Sequence, residues 1–126
     1  MSIETLYDKD GSITALHGKT VAVIGYGSQG HAHAQNLRDS GVQVIVANRR
    51  ESANGKLAIE HGFDPLSVAD AVKGADIVVL TLPDEVQPQV YDESIGPNLR
   101  PGMAVGATHG FNVHFKTIQL PSDVDV

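Results

Sequence analysis

The sequence contains no cysteine among its 126 residues. Disulfides, thiolate nucleophiles and cysteine-ligated metal sites are therefore excluded together. A chain without cysteine is typical of a reducing compartment, and no basic and apolar leader of the secretory type precedes the first predicted strand. We therefore expect a cytoplasmic protein.

Long apolar runs and an excess of positive charge are also missing. The longest apolar runs, residues 21–24 and 77–82, are far shorter than the roughly 20 residues that cross a bilayer, so no membrane partner is expected. The formal net charge is −6, which argues against a general nucleic-acid surface. No repeat or low-complexity tract divides the chain, and its length is typical of one domain.

The sequence does contain a glycine-rich turn in a specific setting. Residues 21–30 read VAVIGYGSQG, an apolar strand followed by a GxGxxG turn, and residues 31–38 favour a helix. In such a turn Gly25 permits the tight bend, Gly27 leaves room for a pyrophosphate, and Gly30 lets helix and strand pack closely. The helix N-terminus then attracts the phosphates through its unpaired N–H groups and its dipole. This arrangement predicts a dinucleotide-binding site.

Strands and helices alternate along the rest of the chain. Strands are predicted at residues 42–47, 76–82 and 103–107, and helices at residues 52–61, 67–74 and 85–93. The alternation predicts a single α/β domain over residues 1–126, a Rossmann-type, doubly wound, mostly parallel sheet with helices on both faces. The segments that follow its strands should then converge on one ligand site. Residues 122–126 are interpreted as half of one more strand, so the chain is expected to stop in mid-fold.

Cations follow the second strand, where an NAD site usually carries a carboxylate. That carboxylate stands about 20 residues past the glycines, whereas residues 47–52 here read ANRRES. Arg49 and Arg50 are candidates for binding a 2′-phosphate through paired charge-assisted hydrogen bonds, and Ser52 adds a hydroxyl at a helix start. Alternatively, both arginines are solvated loop charges, one of them neutralised by Glu51. We favour phosphate binding, with Arg49 ahead of Arg50.

Two further strand ends carry titratable side chains. Asp84 follows the strand at residues 76–82 and is either a helix N-cap or part of the wall beside a nicotinamide ring. His109 follows the next strand and precedes Gly110, so its imidazole is a candidate acid, base or hydrogen-bond donor near neutral pH. A lone loop histidine is more often structural, and at this point both roles stay open.

No metal site is predicted. His31 and His33 stand two residues apart on a predicted helix, which points their side chains to opposite sides. Residues 8–11 begin like a calcium loop but lack its glycine at the sixth position and its closing glutamate. These residues are interpreted as turn chemistry.

Five segments together resemble a known family over nearly the whole chain. They are residues 7–10 (YDKD), 25–31 (GYGSQGH), 82–85 (LPDE), 97–99 (PNL) and 109–115 (HGFNVHF). In this order they resemble the N-terminal, cofactor-binding part of ketol-acid reductoisomerase, also called acetohydroxy acid isomeroreductase. The pair GYGSQGH and HGFNxHF is far more specific than a general dinucleotide motif.

The resemblance implies an enzyme that uses NADPH and magnesium to convert acetohydroxy acids into dihydroxy acids in branched-chain amino-acid synthesis. It implies that Arg49 and Ser52 hold the 2′-phosphate, that Asn54 stands where many relatives have a second serine, and that His109 is the active-site histidine. Carried over to matching positions, the resemblance implies that four residues line the pyrophosphate, namely Tyr26, Gly27, Ser28 and Gln29. It implies that four more border the cofactor, namely Asp84, Glu85, Val86 and Gln87.

In that family, carboxylates of a helical C-terminal domain hold two magnesium ions, and this sequence has no counterpart of that domain. The metal ions would polarise the substrate oxygens for alkyl migration. We therefore expect a domain that binds NADP(H) but turns over acetohydroxy acids only when a helical domain complements it, with homo-oligomer formation left open. The alternative is a non-catalytic NADP(H)-binding or regulatory module derived from that enzyme.

Overall fold

One parallel sheet organises the chain, and the computed structural model describes it over residues 3–126. The strands are β1 (Thr20–Ile24), β2 (Gln43–Ala47), β3 (Ile77–Leu80) and β4 (Ala104–Ala107). They lie in the order β2-β1-β3-β4, and every pairing is parallel. The chain reverses its direction across the sheet between β1 and β3, which is where ligands bind in open parallel sheets.

Single residue pairs extend the sheet at both edges. Leu66 forms a parallel bridge with Ala47 beside β2, and Asp125 forms one with Ala104 beside β4. When these two positions are counted, the spatial order across the sheet is 3-2-1-4-5-6, the order usual for dinucleotide-binding folds. The strand predicted at residues 122–126 is therefore present as one bridge.

Helices cover both faces of the sheet. They are α1 (Ser28–Asp39), α2 (Ala53–Glu60), α3 (Val68–Lys73), α4 (Gln87–Val90) and α5 (Phe111–His114). A π-helical turn at Tyr91–Ile95 and a 3₁₀ turn at Gly96–Asn98 extend α4, and 3₁₀ turns also lie at Asp8–Asp10 and Ile13–Leu16. The predicted doubly wound α/β architecture is confirmed.

The centre of the sheet is buried on both sides. Val21 and Val23 of β1 point into a cluster with α1 and α2, whereas Ala22 and Ile24 point into the cluster that includes α3. Each of these four side chains is at most 2% exposed. A strand covered on both faces needs apolar residues at every position, which explains the uninterrupted run in the sequence.

Several element boundaries differ from those predicted. The first helix begins at Ser28, three residues early, because Gly27 is itself the N-cap. The β3 strand ends at Leu80, and the next helix begins only at Gln87. The N–H groups of Val86 and Gln87 both donate to the carbonyl of Pro83, at 3.0 and 3.2 Å, so a turn precedes that helix. The short helix α5 was not predicted.

Candidate functional site

The turn between β1 and α1 makes contacts that require glycine. Gly25 has a φ of +102°, in the left-handed region. A Cβ at Gly30 would lie 2.4 Å from the carbonyl oxygen of Gly25 and 2.7 Å from Thr81 Oγ1. A Cβ at Gly27, by contrast, would meet no heavy atom within 4 Å. Gly25 and Gly30 are therefore needed for the shape and packing of the turn, whereas Gly27 leaves open space beside the helix N-terminus.

Two side chains that sequence reasoning missed hold this turn in place. The Thr81 hydroxyl lies 2.8 Å from the carbonyl oxygen of Ile24 and 3.2 Å from that of Gly25, and donates to them. His31 Nδ1 donates to the carbonyl of Gly27 at 2.7 Å. The sequence placed Thr81 inside the strand predicted at residues 76–82. The structure places it one residue after β3, beside the end of β1.

A cleft of about 370 Å³ opens beyond the carboxyl ends of the strands. The segments that follow all four strands contribute to it, so their predicted convergence on one site is confirmed. The lining residues are Gly25, Tyr26, Gly27, Ser28, Gln29, Asn48, Asn54, Thr81, Leu82, Pro83, Asp84, Thr108 and His109. Asn48 and Thr108 were not singled out by the sequence, although each lies directly after a strand.

A second cleft, of about 600 Å³, adjoins the first, since Asn48 and Leu82 line both. Its apolar wall includes Leu66, Val68 and Val86. Its rim carries the cations and the acidic residue that follow β2, Arg49, Arg50 and Glu51. Together the two clefts form one long crevice along the edge of the sheet.

The two arginines at this rim differ in their surroundings. Arg50 forms an ion pair with Asp64 and also donates to the carbonyl of Pro65 at 3.3 Å. Arg49 is exposed, and within residues 3–126 its side chain makes no ion pair. The guanidinium of Arg49 is therefore the more available of the two for an added anion.

Ser52 begins α2 as its N-cap. Its hydroxyl oxygen accepts from the N–H of Gly55 at 3.0 Å and lies 2.9 Å from Asn48 Oδ1. Gly55 is buried, and a Cβ there would lie only 1.8 Å from the carbonyl oxygen of Arg49. The first turn of α2 thus packs directly on the backbone of the arginine loop, with Asn54 facing the first cleft.

Asp84 and His109 meet at the other end of the first cleft. His109 Nδ1 lies 3.7 Å from Asp84 Oδ2, and the two side chains are 70% and 33% exposed. The sequence had placed each after a different strand, and the parallel pairing of β3 with β4 brings them together. An exposed imidazole beside a carboxylate is suited to exchange a proton with a bound molecule.

A buried polar network lies behind this pair. Asn112, which is 2% exposed, donates through Nδ2 to the Asp84 carbonyl at 2.9 Å and to Gln87 Oε1 at 3.1 Å. Gln87 in turn donates to the carbonyl of Leu82 at 2.6 Å, and Thr117 donates to Asn112 Oδ1 at 2.5 Å. The sequence singled out Asn112 only as part of the segment at residues 109–115, and its buried position was not predicted.

The residues predicted to border the cofactor after β3 therefore occupy different places. Asp84 lines the first cleft and Val86 the second. The side chain of Gln87 is 3% exposed and bonded within the network, whereas Glu85 is exposed to solvent and lines neither cleft. Of these four, Asp84 and Val86 present themselves to a bound molecule.

Tyr26 lines the first cleft, yet its side chain is fully buried. The ring packs edge-on against Phe63, with centroids 5.8 Å apart, and the hydroxyl lies 2.7 Å from His61 Nδ1. Burial raises the pKa of Tyr26 above 10.0, and the charge of Arg38 offsets part of that effect. What Tyr26 can present to a ligand is therefore its backbone.

Metal ligands do not cluster within the described residues. Between residues 3 and 126, no group of three or more histidine and carboxylate side chains lies close enough to hold an ion. No helix in the same range is long and apolar enough to cross a bilayer.

Known proteins share both the sequence pattern and this geometry. Residues 15–126 match the family model described as the NADPH-binding domain of acetohydroxy acid isomeroreductase. The chain belongs to this family. The resemblance noted in the sequence is therefore confirmed, and the domain corresponds to the NADPH-binding part of ketol-acid reductoisomerase.

Solved structures agree with that assignment. An NADH-preferring ketol-acid reductoisomerase from an uncultured archaeon is 41% identical with a TM-score of 0.89, over 97% of this chain and 38% of that one. A semialdehyde dehydrogenase NAD-binding protein from Cupriavidus necator is 27% identical with a TM-score of 0.73, over 84% and 38%. The 3-hydroxyisobutyrate dehydrogenase of Mycobacterium tuberculosis is 26% identical with a TM-score of 0.66, over 79% and 36%. This chain thus spans well under half the length of each.

Proposed function

We propose that this domain binds NADPH along the two clefts and serves as the hydride-donating part of a ketol-acid reductoisomerase. One observation carries the proposal. The open space at Gly27, the N-terminus of α1 and the unpaired Arg49 all lie along the same crevice at the carboxyl edge of the sheet. The first two features suit the pyrophosphate of NADPH, and Arg49 suits its 2′-phosphate.

The chain's own residues divide the binding between them. Backbone N–H groups at Ser28 and Gln29 would hold the pyrophosphate over Gly27, because the first N–H groups of a helix lack internal partners. Arg49, with Ser52 and Asn54 at the start of α2, would hold the 2′-phosphate. The apolar second cleft suits the adenine ring.

The nicotinamide end would then lie toward Asp84 and His109. NADPH supplies a hydride when it is bound, and the protein must manage the accompanying proton. His109 would hold that proton close to a substrate oxygen, with the Asp84 carboxylate beside the imidazole, 3.7 Å from Nδ1. Pro83 and Thr108 complete this wall.

Magnesium does not fit the described residues, because they offer no cluster of ligands. We propose that alkyl migration, the acetohydroxy acid pocket and any homo-oligomer contact depend on a helical domain of the family. The reaction would belong to isoleucine and valine synthesis in the cytoplasm.

Calorimetric titration tests the choice of coenzyme. NADPH should bind about 10- to 150-fold more tightly than NADH, since charge-assisted hydrogen bonds to a phosphate contribute about 1.5–3 kcal/mol. The archaeal relative described as NADH-preferring makes NADH a necessary comparison. Equal affinities would remove Arg49 and Ser52 from the phosphate site.

An activity assay tests the proposed reaction. Acetolactate reduction is measured with magnesium and NADPH, first on the chain alone and then after mixing with a separately produced helical domain. Turnover that requires the partner supports the proposal. NADPH binding without turnover in the mixture would favour a non-catalytic module, and turnover by the chain alone would contradict our assignment of the metal site.

A further inference from the structure

We infer that His61 is a positioning residue for the coenzyme site, because its bond to Tyr26 fixes the distance between the glycine-rich turn and α2. The inference rests on the proposed NADPH site and extends it to a residue outside the crevice. His61 lines neither cleft, so any influence on the coenzyme must act through Tyr26 and through α2.

The first link is the anchoring of the glycine-rich turn by Tyr26. Its backbone lies between Gly25 and Gly27 and lines the first cleft, while its ring is fully buried between α1 and α2. The hydroxyl lies 2.7 Å from His61 Nδ1. A buried hydroxyl keeps such a partner because leaving it unpaired costs about 1–3 kcal/mol.

Tyr26 and His61 can each supply the hydrogen of this bond, because a phenol and an imidazole both donate and accept. Burial raises the pKa of Tyr26, and the charge of Arg38 works against that effect, so the hydroxyl keeps its proton at neutral pH. His31 also faces the Tyr26 ring, with centroids 6.1 Å apart, but its Nδ1 is bonded to Gly27.

The second link is the attachment of His61 to α2. His61 is the C-cap of this helix, and its N–H donates to the carbonyl of Leu57 at 3.0 Å. Its own carbonyl accepts from the Arg38 guanidinium, which lies 4.3 Å above the centre of the Phe63 ring. The C-terminal end of α2 is thus tied to the glycine-rich turn and to α1.

The third link is the helix itself, whose other end faces the crevice. Eight residues at 1.5 Å each make α2 roughly 12 Å long. Its first turn packs on the Arg49 carbonyl through Gly55 and presents Asn54 to the first cleft. A shift at the His61 end therefore moves the residues that face the 2′-phosphate relative to the residues that face the pyrophosphate.

The arrangement predicts that ligands respond differently according to the parts of the site that they contact. The affinity of a ligand that contacts both the glycine-rich turn and the start of α2 depends on the distance between them. The affinity of a ligand that contacts only the start of α2 does not depend on that distance. NADPH is a probe of the first kind, and adenosine 2′-monophosphate is a probe of the second.

The experiment compares His61→Leu, His61→Asn and Tyr26→Phe with the wild-type chain, with His33→Leu on the exposed side of α1 as the matched control. His61→Leu should weaken NADPH binding about three- to tenfold, the effect of one lost hydrogen bond, and leave adenosine 2′-monophosphate within about twofold. His61→Asn should recover most of the NADPH affinity, because its side-chain amide can donate or accept in place of Nδ1. The double variant of Tyr26→Phe and His61→Leu should bind no more weakly than the weaker single variant, because both remove the same bond.

Thermal unfolding measured on the same samples separates positioning from a purely structural role. A lower Tm with unchanged NADPH affinity, or equal losses for both ligands, would overturn the inference. If His61→Leu does not fold, Tyr26→Phe removes the same bond and decides the question in its place. Failure of the wild-type chain to bind NADPH would instead refute the proposed function, so the two failures are distinguishable.

Discussion

His109 Nδ1 and Asp84 Oδ2 lie 3.7 Å apart, and one buried side chain holds the two loops that carry them. Asn112, on the short helix after His109, donates to the backbone carbonyl of Asp84 at 2.9 Å. The same amide is bonded to Gln87, so the loop after β3 and the loop after β4 are joined behind the pair. The two loops are therefore held together by buried hydrogen bonds on one side of the pair, while His109 is exposed on the other.

This geometry predicts a separation between binding and turnover. In enzyme complemented with a helical domain, His109→Gln should lower turnover about 10²- to 10⁴-fold, the usual contribution of a general acid or base. NADPH affinity should stay within about twofold, since the imidazole is assigned to the proton and not to a phosphate. His33→Gln, on the exposed side of α1, is the control for histidine loss, and full activity in His109→Gln would contradict the assignment.

The glycines predict opposite outcomes for one substitution at two positions. Gly27→Ala should fold with a nearly unchanged Tm, because the new methyl meets no protein atom within 4 Å, but NADPH affinity should fall more than about tenfold as the methyl occupies the pyrophosphate space. Gly30→Ala should instead lose about 1–3 kcal/mol of stability through overpacking, since its methyl would lie 2.4 Å from the Gly25 carbonyl oxygen.

Gly106→Ala is the control for both, because this position in β4 also has open space around its Cβ. It should change neither Tm nor affinity. Normal NADPH binding by Gly27→Ala would mean that the coenzyme does not approach the turn.

The arginines predict a difference between two adjacent side chains. Arg49→Ala should weaken NADPH binding by about 1.5–3 kcal/mol and leave NADH binding nearly unchanged, because the unpaired guanidinium is assigned to the 2′-phosphate. Arg50→Ala should affect NADPH less, since that guanidinium is engaged by Asp64 and Pro65. Titration of both variants with both coenzymes checks this, and equal losses would mean that the two arginines share the phosphate.

The buried tyrosines predict a loss of stability in alkali. Burial raises the pKa of Tyr26 and Tyr91 above 10.0, with Arg38 opposing the shift in Tyr26 and Asp92 adding to that in Tyr91. The folded chain thus holds both protons more tightly than the unfolded chain. Their stabilisation is complete below pH 10.0 and is lost as the pH rises through the folded-state pKa.

Urea unfolding at pH values from about 9 to about 11, around the ordinary tyrosine pKa, measures this loss. Tyr26→Phe combined with Tyr91→Phe should flatten the alkaline decline in the free energy of unfolding. Tyr7→Phe is the matched control, because that ring is 66% exposed, and the decline should persist in this variant. An identical decline in the double variant would assign the effect to other groups.

Hydrophobic patterning was sufficient to predict the sheet and the position of the site. The apolar runs located all four strands, and parallel pairing then required the segments after Ile24, Ala47, Leu80 and Ala107 to meet at one edge. Neither conclusion depends on which way an individual side chain points. Both follow from burial on two faces and from the geometry of parallel strands.

Side-chain partners that are distant along the chain could not be predicted in the same way. The sequence favoured Arg49 over Arg50, but it could not show that Arg50 is engaged by Asp64, fourteen residues away. Tyr26 stands in a motif whose neighbouring residues, Gly25 and Gly27, line the first cleft, yet packing between α1 and α2 buries its ring. Such outcomes depend on how helices pack, which local patterns do not encode.

The contact between Gly55 and the Arg49 carbonyl limits how the coenzyme preference of this domain can be redesigned. A methyl group at Gly55 would lie 1.8 Å from that oxygen, so there is no room for a side chain at residue 55 or for a different backbone path at residue 49. Exchanging exposed side chains at residues 49–51 leaves the contact intact, whereas inserting or deleting a residue would separate the first turn of α2 from the Arg49 backbone. A library that aims to change selectivity should therefore vary side-chain identities there and keep the loop length constant.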